Sequence, residues 1–98
     1  MPSGVERDEQ ALLLREQGRS FAAIARVLDL SGALDANAAF NRALRRYTLG
    51  DQAALRSREM ARLDALAERL RQREGVSEEE LARQLHGLKR LRKTLFVA

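Results

Sequence analysis

The sequence predicts an all-α protein, with three helices within residues 1–50 and an antiparallel helical hairpin within residues 51–98. Leu, Ala, Arg and Glu dominate the chain, and residues that favour strands are few. Charged residues make up 33% and hydrophobic residues 45% of the 98 residues, which is typical of a globular protein and not of a disordered one. Start and stop signals divide the chain into five segments, each with apolar residues at helical spacing.

Two short helices are expected in the first part of the chain. Ser3 and Glu6 have the spacing of a capping box, which predicts a helix from there to about residue 17, where Gly18 supplies a left-handed stop. Ser20 is expected to cap a second helix over residues 21–29. One face of this second helix is apolar and carries Phe21, Ile24, Ala25 and Leu28.

The third helix is expected to begin near Asp35, a favourable cap, and to end at about residue 47. Its predicted buried stripe consists of Ala36, Phe40, Ala43, Leu44 and Tyr47. At about 100° per residue, the opposite face has no acidic residue and is predicted to be exposed. That face carries Ala38, Asn41, Arg42 and Arg45, with Asn37 and Arg46 on its flanks.

Two longer helices follow. Asp51 is the expected cap of a fourth helix over residues 52–74, and Ser77 with Glu80 forms a capping box for a fifth helix that ends near residue 96. The short link at Gly75 predicts that these helices form an antiparallel hairpin. Because two helices alone make a thin core, the leucine seam is expected to pair subunits, with a dimer favoured, although the sequence leaves open whether one chain fills the seam. The predicted oligomer interface consists of Leu63, Leu66, Leu70, Leu81, Leu88 and Leu95.

Several classes of function are disfavoured by the sequence. The chain has no cysteine, and its single histidine, His86, has no partner ligand, so neither disulfides nor a metal site is expected. No Ser–His–Asp spacing, glycine-rich phosphate loop or carboxylate pair is found, and we therefore expect neither an enzyme nor a cofactor. No apolar run approaches the roughly 20 residues of a membrane span, and residues 1–10 lack the apolar segment of a signal peptide. We therefore expect no membrane partner and a cytoplasmic location.

Helices two and three have the arrangement that a DNA-reading unit needs, and a net charge of +4 favours a polyanionic partner. The predicted base-reading residues are Asn37, Ala38, Asn41, Arg42 and Arg45, because Arg and Asn match guanine and adenine edges and Ala permits close approach. The predicted phosphate contacts are Arg19, Ser20, Arg26 and Arg46, together with the C-terminal cluster Lys89, Arg90, Arg92 and Lys93. The alternative interpretation is a three-helix bundle with a solvated arginine face and a solvated, basic helix end.

The segment from residue 16 to residue 46, EQGRSFAAIARVLDLSGALDANAAFNRALRR, resembles the helix-turn-helix units of bacterial and phage regulators. Their pattern G-x-S-x-x-x-I-A-x-x-L-x-x-S is matched by Gly18, Ser20, Ile24, Ala25, Leu28 and Ser31. The segment MARLDALAERL, residues 60–70, looks like the helix that follows such a unit in actinobacterial, phage-type DNA-binding proteins, some of which are small terminase subunits. The chain departs from the pattern at Asp29, where the turn usually has Gly, and in the stretch 31–35, which is longer than a minimal turn.

The resemblance covers about residues 7–70 and implies an N-terminal helix-turn-helix joined to an oligomerisation hairpin. The sequence thus predicts a small DNA-binding protein, either a transcriptional regulator or a phage-type packaging or recombination factor, associated with the nucleoid. Its third helix would enter the major groove of double-stranded DNA. Two alternatives are a helical adaptor that binds another protein through the hairpin, and a nucleoid or RNA binder that reads only the backbone.

Overall fold

The computed structural model describes residues 3–96, which form five α-helices and no strand, so the prediction of an all-α protein is confirmed. The helices are α1 (Gly4–Glu16), α2 (Phe21–Leu28), α3 (Ala33–Arg45), α4 (Leu49–Gln72) and α5 (Glu78–Thr94). The chain divides into two compact units, Met1–Gln52 and Ala53–Ala98, whereas the sequence predicted the boundary between residues 50 and 51. Among the described residues, no helix has both the length and the apolar character needed to cross a bilayer.

Local signals set most of the helix ends. The hydroxyls of Ser3, Ser20 and Ser77 accept hydrogen bonds of 3.1 to 3.2 Å from the backbone amides three residues later, as capping serines do. Gly18 directly follows Gln17, the C-cap of α1, and has φ of +92°, the left-handed conformation that ends a helix. Gly75 also has a positive φ, +77°, but it lies in the link three residues after α4 ends at Gln72, whereas the sequence predicted that this helix would continue to residue 74. The three serine caps and the stop at Gly18 were predicted from the sequence and are confirmed.

Two predicted helix starts are wrong. Helix α3 begins at Ala33 and not at Asp35, whose carboxylate accepts a hydrogen bond from the Ser31 hydroxyl within the first turn. Helix α4 begins three residues earlier than predicted, because the hydroxyl of Thr48 accepts the amide of Asp51 at 3.2 Å and acts as the cap. In both cases the acidic residue lies inside the first turn, where the helix dipole favours negative charge.

Helix α3 is the central element of the first unit, because it contacts both α1 and α2. The apolar core consists of Ala11, Leu12, Phe21, Ile24, Ala25, Ala36, Ala39, Phe40, Ala43 and Leu44. The rings of Phe21 and Phe40 meet edge to face, with centroids 5.8 Å apart and an interplanar angle of 62°. Because α1 and α2 both contact α3, its buried positions span about 200° of the helix, which is wider than the single stripe expected from the sequence.

The second unit contains an antiparallel hairpin of α4 and α5, as predicted. Arg56 Nε donates to the backbone carbonyl of Leu95 at 2.6 Å, and Arg92 donates to Asp64, so the end of α5 lies against the earlier part of α4. The buried row of α4 repeats every fourth residue and consists of Leu55, Glu59, Leu63 and Ala67. The buried residues of the α5 side are Leu88 and Leu95.

Burial corrects the predicted oligomer interface. Leu63, Leu88 and Leu95 are at most 8% exposed within the single chain, because the antiparallel neighbour already fills this part of the seam. They are core residues of the hairpin and have little surface to offer to a second copy. The three remaining leucines of the predicted interface are partly buried, namely Leu66, Leu70 and Leu81. Dimerisation therefore stays a prediction that rests on fewer residues.

Candidate nucleic-acid interface

The four residues 29–32 join α2 to α3, and the path of this connection depends on Asp29. Asp29 has φ of 55° and ψ of 47°, and within residues 3–96 it is the sole non-glycine residue with a positive φ. Leu30 N–H donates to the carbonyl of Ala25 at 2.8 Å, which is the six-to-one hydrogen bond of a Schellman motif. Asp29 therefore takes the left-handed conformation that glycine adopts most easily, at the position where the resembled pattern has glycine.

The exposed face of α3 carries two of the predicted base-reading residues, Arg42 and Arg45, and Ala38 is partly exposed beside them. Arg46, just beyond the helix, is exposed as well. Asp35 in the first turn is the sole acidic residue of α3. The part of the helix from Ala36 onwards therefore presents cationic and small side chains to solvent.

Asn41 was predicted to lie on this exposed face and Asn37 on its flank, and the predicted exposure of both is wrong. They are 5% and 3% exposed, and the side-chain amide of Asn41 donates to the backbone carbonyl of Asn37 at 3.1 Å and to its Oδ1 at 3.3 Å. The physical reason is that α3 packs against two helices, so positions beside the apolar stripe are covered too. Neither amide can reach a base edge from this position.

Asp8 of α1 holds the guanidinium groups of Arg42 and Arg46. Arg42 Nε and Nη2 donate to the two carboxylate oxygens of Asp8, each at 3.0 Å, and Arg46 Nη1 lies 3.0 Å from Oδ2. Asp8 is 3% exposed, whereas the side chains of Arg42 and Arg46 are 53% and 43% exposed. Burial works to raise the pKa of Asp8, but the hydrogen bonds and charges of the two arginines outweigh it and lower the pKa below its ordinary value of 3.8. Asp8 is therefore ionised at neutral pH and orients both arginines.

Sequence reasoning missed this ion pair. Asp8 and Arg42 are 34 residues apart, so no local pattern links them. One signal was present, because Asp8 precedes Ala11 and Leu12 by three and four residues and therefore shares their buried face of α1. A carboxylate on a buried face needs a charged or hydrogen-bonding partner, and that requirement could have pointed to the arginines of α3.

The predicted phosphate contacts of the first unit lie at the surface. Arg19 and Arg26 are exposed, and Ser20 is exposed although its hydroxyl already caps α2. Arg15 behaves differently, since its guanidinium carbon lies 4.0 Å from the centroid of the Phe21 ring and its Nη1 donates to the carbonyl of Arg19 at 3.0 Å. Arg15 therefore braces the start of α2 and is not part of the exposed cationic surface.

Charge is distributed unevenly along the chain. Residues 1–52 contain seven basic and seven acidic residues, whereas residues 53–98 contain 11 basic and seven acidic residues. The net charge of +4 therefore resides in the second unit. Within the first unit, residues 21–46 contain four arginines and two aspartates, so the segment of α2 and α3 has a local excess of two positive charges.

The C-terminal basic cluster lies on α5. Lys89, Arg90 and Lys93 are exposed, and Arg92 is partly buried by its pairing with Asp64. His86 is exposed, and the described residues contain no group of three or more side chains placed to hold a metal ion.

Comparisons of the chain with protein-family models, with characterised proteins and with solved structures found no significant match. The fold and the candidate site define a small all-α protein in which a three-helix unit precedes a helical hairpin.

Proposed function

We propose that this protein binds double-stranded DNA and that α3 enters the major groove, with Arg42 and Arg45 directed at base edges. The observation that carries this proposal is the left-handed turn at Asp29 followed by a helix whose exposed face presents Ala38, Arg42 and Arg45 on successive turns. The major groove of B-DNA admits an α-helix, and arginine pairs with the O6 and N7 acceptors of guanine. The small side chain of Ala38 allows the backbone of α3 to approach the bases.

The ion pair with Asp8 supports this role for Arg42. A guanidinium that is already oriented loses less side-chain entropy when it binds a ligand. Arg42 uses Nε and Nη2 for Asp8, which leaves Nη1 outside the ion pair, and its side chain remains 53% exposed. The cost of this arrangement is partial neutralisation of the arginine charge, so the pair favours directed contacts over general attraction to phosphate.

Phosphate contacts are assigned to Arg19, Arg26 and Arg46, which are exposed in the same unit. Such contacts fix the register of a protein on the duplex but carry no sequence information. Each neutralised phosphate contributes about −0.9 to the slope of log affinity against log salt concentration, so these three arginines predict a slope of roughly −3.

The test is fluorescence anisotropy with a mixed-sequence duplex across a salt series, followed by selection of preferred sites from random duplexes. The double variant Arg42→Ala, Arg45→Ala should lower specific affinity by at least about tenfold and relax the site preference, because each base-reading arginine contributes about 1–3 kcal/mol. The single variant Arg45→Ala leaves the Asp8 ion pair intact and should show part of the same loss.

The matched control is Arg69→Ala, Arg73→Ala, which removes two exposed positive charges from the second unit. Equal affinity and equal site preference for the two double variants would refute the assignment of α3. A parallel titration with duplex RNA tests the RNA-binding alternative, since the deep, narrow major groove of A-form RNA does not admit a helix.

A further inference from the structure

A groove of about 510 Å³ lies on the hairpin of the second unit, lined by residues of α4 and of the α5 side. Its apolar lining residues are Met60, Ala67, Leu85, Leu88 and Phe96. Its charged lining residues are Arg71, Lys89, Arg92 and Lys93, and none of the acidic side chains within residues 3–96 lines it. The groove therefore combines an apolar surface with charge of one sign.

The apolar surface of this groove is open to solvent. Phe96 is 64% exposed, and Met60 and Leu85 are partly exposed. A contiguous patch of large, exposed apolar side chains with a polar rim marks an interaction site on a protein surface. Contact of the Arg56 guanidinium with the Phe96 ring, 5.9 Å from its centroid, covers only part of this phenylalanine.

The charged residues differ in how far they are already paired. Arg92 is bound to Asp64, and Arg71 has only a long contact of 3.8 Å with Glu68. Lys89 and Lys93 are exposed and have no acidic partner in the part of the chain that the structure describes. They are four residues apart and so lie on one side of α5, one turn from each other. An acidic ligand can therefore pair with Lys89 and Lys93 without breaking an ion pair within the chain.

We propose that this groove binds an acidic amphipathic helix of another protein. The ligand would place its apolar face against Met60, Leu85 and Phe96 and its carboxylates against Lys89 and Lys93, in the helix-in-groove mode of recognition. The groove extends along α4 from Met60 to Arg71, roughly 16 Å at 1.5 Å per residue, which matches about three turns of a bound helix. This role is independent of DNA binding by the first unit, and the two together would make the protein an adaptor between DNA and a partner protein.

Other occupants fit these observations less well. A nucleic-acid backbone requires the cations but gains nothing from an aliphatic surface. The densest acidic segment that a second copy of this chain can offer is Glu78–Glu80, where Glu80 is already hydrogen-bonded to Arg83 and Gln84. An acidic helix uses both the apolar and the charged components.

The test uses the full chain and a fluorescein-labelled 15-residue peptide that places leucines at helical spacing on one face and glutamates along the flanks of that face. A scrambled peptide of the same composition, which has no apolar face, is the comparison. The amphipathic peptide should bind at least about tenfold tighter than the scrambled one, and Lys89→Glu, Lys93→Glu should weaken it by a similar factor. Phe96→Ala should weaken peptide binding as well. Binding of duplex DNA by the first unit is measured in a separate titration, so the two proposals can fail independently.

The matched control is Arg69→Glu, Arg73→Glu, which makes the same charge change on exposed residues of the second unit outside the groove and should leave peptide affinity within about threefold. Equal binding of both peptides, or no binding of either, overturns the proposal. So does equal competition by single-stranded DNA, which would make the surface a general anion site. A dimer in light scattering that the Lys89→Glu, Lys93→Glu variant abolishes would assign the groove to a second copy and overturn it too.

Discussion

The substitution Asp8→Asn tests the ion pair that joins α1 to the end of α3. The amide keeps the shape of the carboxylate but loses its charge, and it offers one oxygen to the three arginine nitrogens that now contact two. Breaking a fully buried ion pair costs about 3–5 kcal/mol. Here only the carboxylate is buried, and Arg42 and Arg46 can return to water because about half of each side chain is already exposed.

Because the two arginines are partly exposed, Asp8→Asn should cost less than the loss of a fully buried ion pair. We expect it to lower the free energy of unfolding by about 2 kcal/mol, close to the contribution of one or two hydrogen bonds to a charged group. For a unit of this size that corresponds to a fall in Tm of about 8 to 16 °C. The single tyrosine of the chain, Tyr47, lies in the first unit, so its fluorescence during urea unfolding reports this unit directly.

The decrease in unfolding free energy caused by Asp8→Asn should also depend on pH. The folded-state pKa of Asp8 is lowered, so its stabilisation is fully present above the ordinary value of 3.8 and is lost as the pH falls through the folded-state pKa. The difference in unfolding free energy between the wild type and Asp8→Asn should therefore be largest near pH 7 and should shrink below about pH 4.

The matched control is Glu6→Gln, which removes one negative charge from an exposed position of the same helix. Its effect should stay within about 1 kcal/mol, the upper end of what a charge in the first turn gains from the helix dipole. If Asp8→Asn were no more destabilised than Glu6→Gln at pH 7, or if its deficit persisted unchanged at pH 3, the ion pair would not have the role assigned to it.

Three further predictions concern the first unit. Absorbance titration of Tyr47 should give a midpoint near 12, because its hydroxyl donates to Glu9 and its pKa is raised to about 12, and Glu9→Gln should return the midpoint towards 10. Because the folded-state pKa of Tyr47 is raised, the hydrogen bond to Glu9 stabilises the fold fully below pH 10, and this stabilisation is lost as the pH rises through 12. A midpoint near 10 in the wild type would contradict the hydrogen bond. Asp29→Gly should stabilise the unit by about 0.5–1 kcal/mol in urea unfolding and Asp29→Ala should destabilise it by a similar amount, because φ is positive there; the opposite order would count against a left-handed turn. Phe40→Ala should cost about 3–5 kcal/mol and abolish the native tyrosine signal, whereas Phe40→Leu should cost about 1 kcal/mol; an intact signal in the alanine variant would contradict the core position of this ring.

The sequence by itself determined the number of helices and most of their ends. Those features depend on interactions within about four residues, such as the serine caps and the left-handed glycines, and such spacings are visible in one chain. The exposed positions of Arg42 and Arg45 could also be predicted, because they lie directly opposite the apolar stripe of α3.

Tertiary structure alone decided how many positions beside the apolar stripe of α3 are buried. Asn37 and Asn41 lie beside the stripe, and their burial depends on a second helix packing on α3. In the same way, the hairpin seam is filled by residues from both of its helices, so its most buried leucines are not available to a partner chain. The pairing of Asp8 with Arg42 joins positions 34 residues apart. Periodicity shows which side of a helix is apolar, but how much of its circumference is covered depends on how many neighbours surround it.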